Sequence, residues 1–206
     1  MFNFALVLNC VILIYSNLKI EAPGGEREIL LHACCAPCSS AIVECLLECG
    51  IRPTLFYYNP NIFPDKEYEK RKTECIRHAQ MLKLDIVDAD YDHEKWLEAI
   101  KGFERESERG ARCLLCFKER LSVAALYAHE HGFKVFSTTL ATSRWKSLEQ
   151  IFEAGEYAAS SFADVEFWAQ NWRKGGLSDR RNELVRIYGF YNQQYCGCEY
   201  SMRNAQ

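Results

Sequence analysis

The sequence predicts an α/β fold with a mainly parallel sheet, on three observations. Apolar runs of strand length alternate with longer amphipathic segments of helical period. Glycines stand where helices should stop, at Gly50 and Gly132. No repeat, low-complexity tract or linker interrupts the alternation.

Each element has its own warrant. EILLHA (28–33) reads as a short buried strand, and Pro37 suits the first turn of a helix running to Cys49. RPTLFYY (52–58) is a second strand, followed by the loop NPNIFPD with its two prolines. Residues 67–83 read as a helix with Tyr68, Cys75, Ala79 and Leu82 near one face, and LDIVDAD (84–90) as a third strand. A short helix is expected around Trp96, Leu97 and Ile100, and a long one over 113–131. KVFSTTL (134–140) is a fourth strand, SLEQIFEAGEYAA a further helix, and 165–168 a candidate strand. A helix across 179–187 and the segment YNQQYCGCEYS close the chain. The expected architecture is a three-layer, Rossmann-like (HUP-like) fold with a helical, cysteine-containing C-terminal part.

At 206 residues the chain suits one good-sized core, and residues 28–206 are expected to form a single catalytic domain. Residues 1–27 read as an N-terminal extension. Its apolar stretch MFNFALVLNCVILIY has no Lys or Arg before it and is shorter than the roughly 20 residues that span a bilayer. No stable membrane association is therefore expected, and the location is expected to be cytoplasmic, where thiols stay reduced. The net charge of −3 gives no global nucleic-acid signature, so a polyanion would need a local basic patch.

Eleven cysteines carry most of the chemistry. They cluster as Cys34, Cys35 and Cys38, as Cys113 and Cys116, and as Cys196 and Cys198. In a reducing compartment such clusters read as metal binding or redox catalysis. Cys34 and Cys35 follow the first strand, at the sheet edge where open α/β folds bind ligands. A helix beginning at Pro37 would aim backbone N–H groups at them and favour the thiolates. Added to the C-x-x-C of RCLLC, they make a four-thiolate set for tetrahedral zinc or an iron–sulfur cluster. Adjacent cysteines reach two corners of a cluster more easily than a single zinc at about 2.3 Å, which favours iron–sulfur.

Cys38 is left over as a candidate ligand of a second metal. Cys196 and Cys198 read as a dithiol that shuttles electrons or ligates such a metal. Cys45, Cys49 and Cys75 read as core positions, and His32 as a buried, satisfied histidine.

The segments LLHACCAPCS, YYNPNIFPDKEYEKR, GARCLLCFKERL, STTLATSRWKSLEQI and YCGCEYS, in that order, resemble the epoxyqueuosine reductase family QueH over about residues 28–201. The resemblance implies a cobalamin-independent reductase. It would remove the epoxide oxygen of epoxyqueuosine at the wobble position of tRNAs with GUN anticodons, the last step of queuosine biosynthesis. It implies a 4Fe–4S cluster on Cys34, Cys35, Cys113 and Cys116, an adjacent mononuclear iron near Cys38, and a redox-active pair in Cys196 and Cys198. An electron donor is also implied. Asn171 stands where the family pattern suggests Asp, and YNQQYCGC is slightly altered.

Candidate tRNA contacts are Arg144, Lys146, Arg173 and Lys174, joined by Arg71, Lys72, Arg180 and Arg181, with Trp145 and Trp172 to stack on bases. Tyr57, Tyr58, Asp90 and Tyr195 are candidate proton donors. Two rival readings are a zinc-stabilised nucleic-acid-binding module and an ATP-dependent tRNA-thiolating enzyme. The latter normally needs a phosphate-cradling loop where this chain has HACCAPCSS.

Overall fold

The computed structural model describes residues 20–202. Residues 1–19 of the expected extension lie outside the described residues. Its remainder is not detached, because Ala22 is buried and Ile20 packs against the core.

Five strands form one parallel sheet: β1 (Glu28–His32), β2 (Arg52–Tyr57), β3 (Ile86–Asp88), β4 (Val135–Thr138) and β5 (Glu166–Phe167), in the order β3-β2-β1-β4-β5. The central strands β1 and β4 are buried along nearly their whole length, as expected for a parallel sheet covered on both faces. The helices fall into two groups. α1 (Ala36–Glu48) packs on α2 (Asp65–Leu82) and on α6 (Leu177–Tyr188). α3 (His93–Ala99), α4 (Ala111–Glu130) and α5 (Leu148–Ala159) form the other group. A last turn, α7 (Glu199–Met202), follows the C-G-C segment. The three-layer expectation and the helical C-terminal part are both borne out.

Boundaries follow the local chemistry. Gly50 and Gly132 take φ of +72° and +78° just past the C-caps of α1 and α4, the left-handed conformation that glycine adopts without strain. Tyr68, Cys75 and Ala79 line one buried stripe of α2, at helical spacing. The strand expected over 84–90 shortens to three residues, since Asp88 and Asp90 lie exposed at its end.

Gly155 of α5 has a different reason to be glycine. A Cβ there would sit 2.2–2.3 Å from ring carbons of Phe167 on β5. Gly155→Ala is expected to destabilise the protein by about 1–3 kcal/mol through overpacking, read as a lower denaturant midpoint. An unchanged midpoint would mean that the Phe167 ring moves aside at no cost.

The strand order reverses between β1 and β4. At such a switch point the connections leave in opposite directions and open a crevice at the carboxyl ends. His32, the last residue of β1, lies in register with Thr138 of β4. Its Nδ1 pairs with Thr138 Oγ1 at 2.8 Å and its Nε2 with the Tyr58 carbonyl at 3.0 Å. Burial holds its pKa down to about 3, so it is neutral, the satisfied core histidine expected. It fixes the floor of the crevice.

Candidate active site

Directly above that floor, Cys34 and Cys35 end the β1 segment, and Cys35 is the N-cap of α1. Cys38 is three residues further on. The N-cap and third helical residue of a helix meet across its first turn, as in a capping box. The Sγ atoms of Cys34, Cys35 and Cys38 accordingly lie within 4.8 Å of one another, with 3.9 Å between those of Cys34 and Cys35. This compact soft donor set can hold a metal ion.

The three thiols share their protons unequally. Donation from Cys35 and Cys38 pulls the Cys34 pKa well down, whereas burial raises that of Cys35. Cys38, donating to Cys34, is pushed up to about 12. These shifts favour a thiolate at Cys34 over one at Cys35 or Cys38. The Thr139 hydroxyl, at the end of β4, lies 3.4 Å from the Cys34 sulfur and accepts from the Cys34 N–H at 3.0 Å. The partners that favour the Cys34 thiolate are the thiols of Cys35 and Cys38, the Lys146 ammonium and the Thr139 hydroxyl.

Cys34 and Cys38 line a cavity of about 520 Å³. Cys113, on the first turn of α4, and Cys196 line it too. Cys116 lies buried one turn further along α4, its thiol raised to about 11 by burial. Cys198, also raised to about 11 by burial, sits behind Cys196. Of the seven thiols singled out in the sequence, Cys34, Cys38, Cys113 and Cys196 line the cavity and Cys35, Cys116 and Cys198 do not, and the ten cysteines among the described residues are free thiols. Cys38, left over in the sequence reading, joins the tight group; Cys113 and Cys116 come from α4.

The C-terminal pair is held by a clamp invisible in the sequence. Arg71 is 3% exposed and donates to the carbonyls of Cys196 at 3.1 Å and Tyr195 at 3.3 Å, while pairing with Glu67 at 2.7 Å. Gly197, with φ of +131°, has room for no Cβ: one would lie 3.0 Å from Ile62 and 3.2 Å from Arg71 and Asn61. The C-G-C spacing thus serves a close approach to the cis-proline loop, whose Phe63 N–H donates to the Gly197 carbonyl at 2.9 Å.

This corrects several expected tRNA contacts. Arg71 is buried in the clamp. Arg180 is buried against Glu44 and Glu183, and Trp172 is fully buried against Trp168. Lys72 is paired with Glu69 and Asp88. Arg173 gives its guanidinium to the carbonyls of Ala141, Ser143 and Lys146, bracing the 141–146 loop. On that loop Arg144 is exposed, as is Trp145 at 75%, and Arg109 ties both carbonyls down at 3.0 and 2.9 Å. Lys174 is exposed and Lys146 half-buried. Burial works against the Lys146 ammonium, but the thiols of Cys196, Cys34 and Cys38 outweigh it and hold its pKa up. Asn171, the departure noted above, accepts from the Arg173 N–H at 3.1 Å and shapes the turn before that arginine.

Of the four candidate proton donors only Tyr195 lines the cavity. Tyr57 donates to the Tyr68 carbonyl, Tyr58 to Glu119, and Asp90 is exposed elsewhere. Gln193, unnoticed in the sequence, donates from Nε2 to Cys35 Sγ at 3.0 Å. The Oδ1 of Asn61 and the Oε1 atoms of Gln193 and Gln150 are buried in the cavity wall without partners. They form a ready set of acceptors for a hydroxyl- or amine-bearing ligand.

Comparison with known proteins adds to this geometry. The profile of the family described as epoxyqueuosine reductase QueH matches residues 29–204. An epoxyqueuosine reductase QueH of Acinetobacter baylyi is 49% identical over 188 residues, which cover 91% of this chain and 86% of that protein. One of Histophilus somni is 50% identical, covering 90% of this chain and 76% of that protein. A more distant one of Thermotoga maritima is 34% identical over 84% of this chain and 90% of its own. The matched span begins within β1 and takes in the thiol triad, the α4 pair, the braced loop and the clamped C-G-C segment, and on that span the chain belongs to the epoxyqueuosine reductase QueH family.

Proposed function

We propose that this chain is an oxidoreductase that converts epoxyqueuosine to queuosine at the wobble position of tRNAs with GUN anticodons, without cobalamin. The single observation that carries the reading is that Cys34, Cys38, Cys113 and Cys196, from three separate stretches of the chain, line one polar cavity beside the compact group of Cys34, Cys35 and Cys38. A zinc-stabilised binding module needs four thiolates in a closed site, not a cavity of about 520 Å³ lined by thiols and unpartnered amide oxygens. Residues 28–206 act as one catalytic domain in the cytoplasm, with an electron donor as the second partner. Among the described residues no helix is long and apolar enough to cross a membrane.

The donor set fits an iron–sulfur group in kind, since soft thiolates are its protein ligands. Cys34, Cys35, Cys113 and Cys116 would hold a 4Fe–4S cluster, and Cys38 would serve an adjacent mononuclear iron. When bound, such a group supplies single electrons and a Lewis-acidic grip on oxygen. The chain's own residues do the rest. Asn61 and Gln193 accept hydrogen bonds from the substituted ring, and Tyr195 lines the wall with its hydroxyl donating to the Phe63 carbonyl. Its pKa, raised to about 12 by burial, keeps it protonated at neutral pH. Cys196 and Cys198 are the redox-active pair. Oxidation of two thiols to a disulfide releases two electrons and two protons, which balances an epoxide becoming an alkene and water.

Arg144 and Lys174 offer charge to RNA phosphates, with Lys146 behind them on the loop that Arg173 braces. Trp145 offers an exposed ring for stacking. Trp145→Ala is expected to weaken binding of an anticodon stem-loop about 5- to 150-fold, from a stacking contribution of about 1–3 kcal/mol per base, and to leave the absorption of the holoprotein unchanged. Equal affinities would remove Trp145 from the interface.

The direct test uses anaerobically purified protein and tRNA carrying epoxyqueuosine. Broad visible absorption bleached by reductant, together with nucleoside product lighter by one oxygen atom, supports the reading. A colourless protein containing stoichiometric zinc and forming no product would overturn it.

A further inference from the structure

The cavity wall holds more positive charge than its neighbours balance. Arg120, on α4, is 2% exposed. It donates from Nη2 to Asn59 Oδ1, and its Nε is buried without a hydrogen-bond partner. The adjacent Glu119 is near enough to act on it electrostatically but turns its carboxylate to the Tyr58 hydroxyl at 2.7 Å. Among the described residues, neither Arg120 nor Lys146 forms an ion pair with a carboxylate. Both line the cavity. The contrast with Arg71 and Arg173 is plain, since those guanidinium groups are taken up by Glu67 and by backbone carbonyls.

A buried cation without a counter-charge costs several kcal/mol, and a fold keeps one where a negative group repays it. Arg120 lies near Glu119, Tyr58, His32 and the thiol of Cys116, and Lys146 near the thiols of Cys196, Cys34 and Cys38. No carboxylate among the described residues pairs with either cation, and a metal group carrying several thiolate ligands would supply an anion in the cavity that both line. A donor N–H without a partner, beside such a group, is also one of the features that set reduction potentials at sulfur-ligated metals.

We infer that Arg120 and Lys146 are the charge partners of an anionic, thiolate-ligated metal group in this cavity, and that the free N–H of Arg120 serves that group and eases its reduction. The inference rests on the functional reading above and assigns two residues outside its ligand set. It also gives Lys146 a place beside the metal in addition to its expected place beside RNA.

The test compares wild type with Arg120→Met, Arg120→Lys and Lys146→Met, each reconstituted anaerobically with ferrous iron and sulfide. Redox titration followed by absorbance is expected to show more negative midpoint potentials in the two Met variants. Arg120→Lys, which keeps the charge, should recover most of the shift. Melting gives a second readout: apo Arg120→Met should melt no lower than apo wild type, yet gain less on taking up the metal group. A structural role through Asn59 alone predicts the opposite, with apo and holo forms of Arg120→Met weakened equally, the potential unmoved and no rescue by Lys. If Arg120→Met yields no folded protein, Lys146→Met decides, and an unchanged potential there overturns the inference. Wild type that takes up no iron would overturn the functional reading and this inference with it. Normal loading with identical potentials in all variants would overturn the inference alone.

Discussion

Replacing any one of Cys34, Cys35, Cys113 or Cys116 by Ala is expected to lower bound iron and sulfide and to abolish turnover. On the proposed ligand set each would supply one of four thiolates, and loss of a ligand from a thiolate-held cluster leaves an iron corner open to solvent. The effect should be at or near the limit of detection of the assay. Cys45→Ala and Cys75→Ala are the controls. Both residues are buried and lie outside the compact thiol group, so their loss should cost some stability through lost packing and no iron. Cys38→Ala is the informative case, because its sulfur lies within 4.8 Å of those of Cys34 and Cys35. Retention of four irons with loss of activity would assign Cys38 to the second metal. Loss of the four irons in Cys38→Ala, with retention in Cys113→Ala or Cys116→Ala, would show that the cluster sits on the triad and that the ligand set is wrong.

The sheet and its helices were legible because their signals are local. Strand-length apolar runs, Pro37 inside the first turn of α1 and glycines past the helix ends each act within a few residues. The position of Cys34 and Cys35 at the crevice followed from the same logic, since residues after β1 must lie at the carboxyl edge. What stayed hidden depends on long-range partners. Arg71 lies 125 residues before Cys196, and no local pattern distinguishes an arginine that clamps a distant carbonyl from one that greets solvent. Arg180 and Trp172 were misread as RNA contacts for the same reason. Thr139, by contrast, was within reach. STTLATS spans the end of β4, the strand beside β1, and a hydroxyl at the switch point should have been weighed as a partner for the thiol across from it.

Serine at both Cys196 and Cys198 is expected to spare the visible absorption of the holoprotein while stopping multiple turnover. The side chains have that separation of roles built in. Cys196 lines the cavity and Cys198 lies buried behind it, on a loop held by Arg71 and by the Phe63 N–H, with Gln193 just before them donating to Cys35. Serine keeps the size and the hydrogen bonds but cannot form a disulfide, so the pair loses its two electrons and two protons without disturbing the clamp. Single-turnover assays on epoxyqueuosine-containing tRNA then separate two roles. With a strong chemical reductant, a variant lacking only the electron shuttle should still convert part of a first round. One lacking a ligand of the oxygen-gripping metal should convert none. Gly197→Ala offers an independent check, because both thiols remain while a Cβ at 3.0 Å from the Ile62 side chain and at a φ of +131° strains the loop. It should slow turnover and leave the visible absorption intact. Wild-type rates in the double serine variant would reduce Cys196 and Cys198 to anchors of a structured tail.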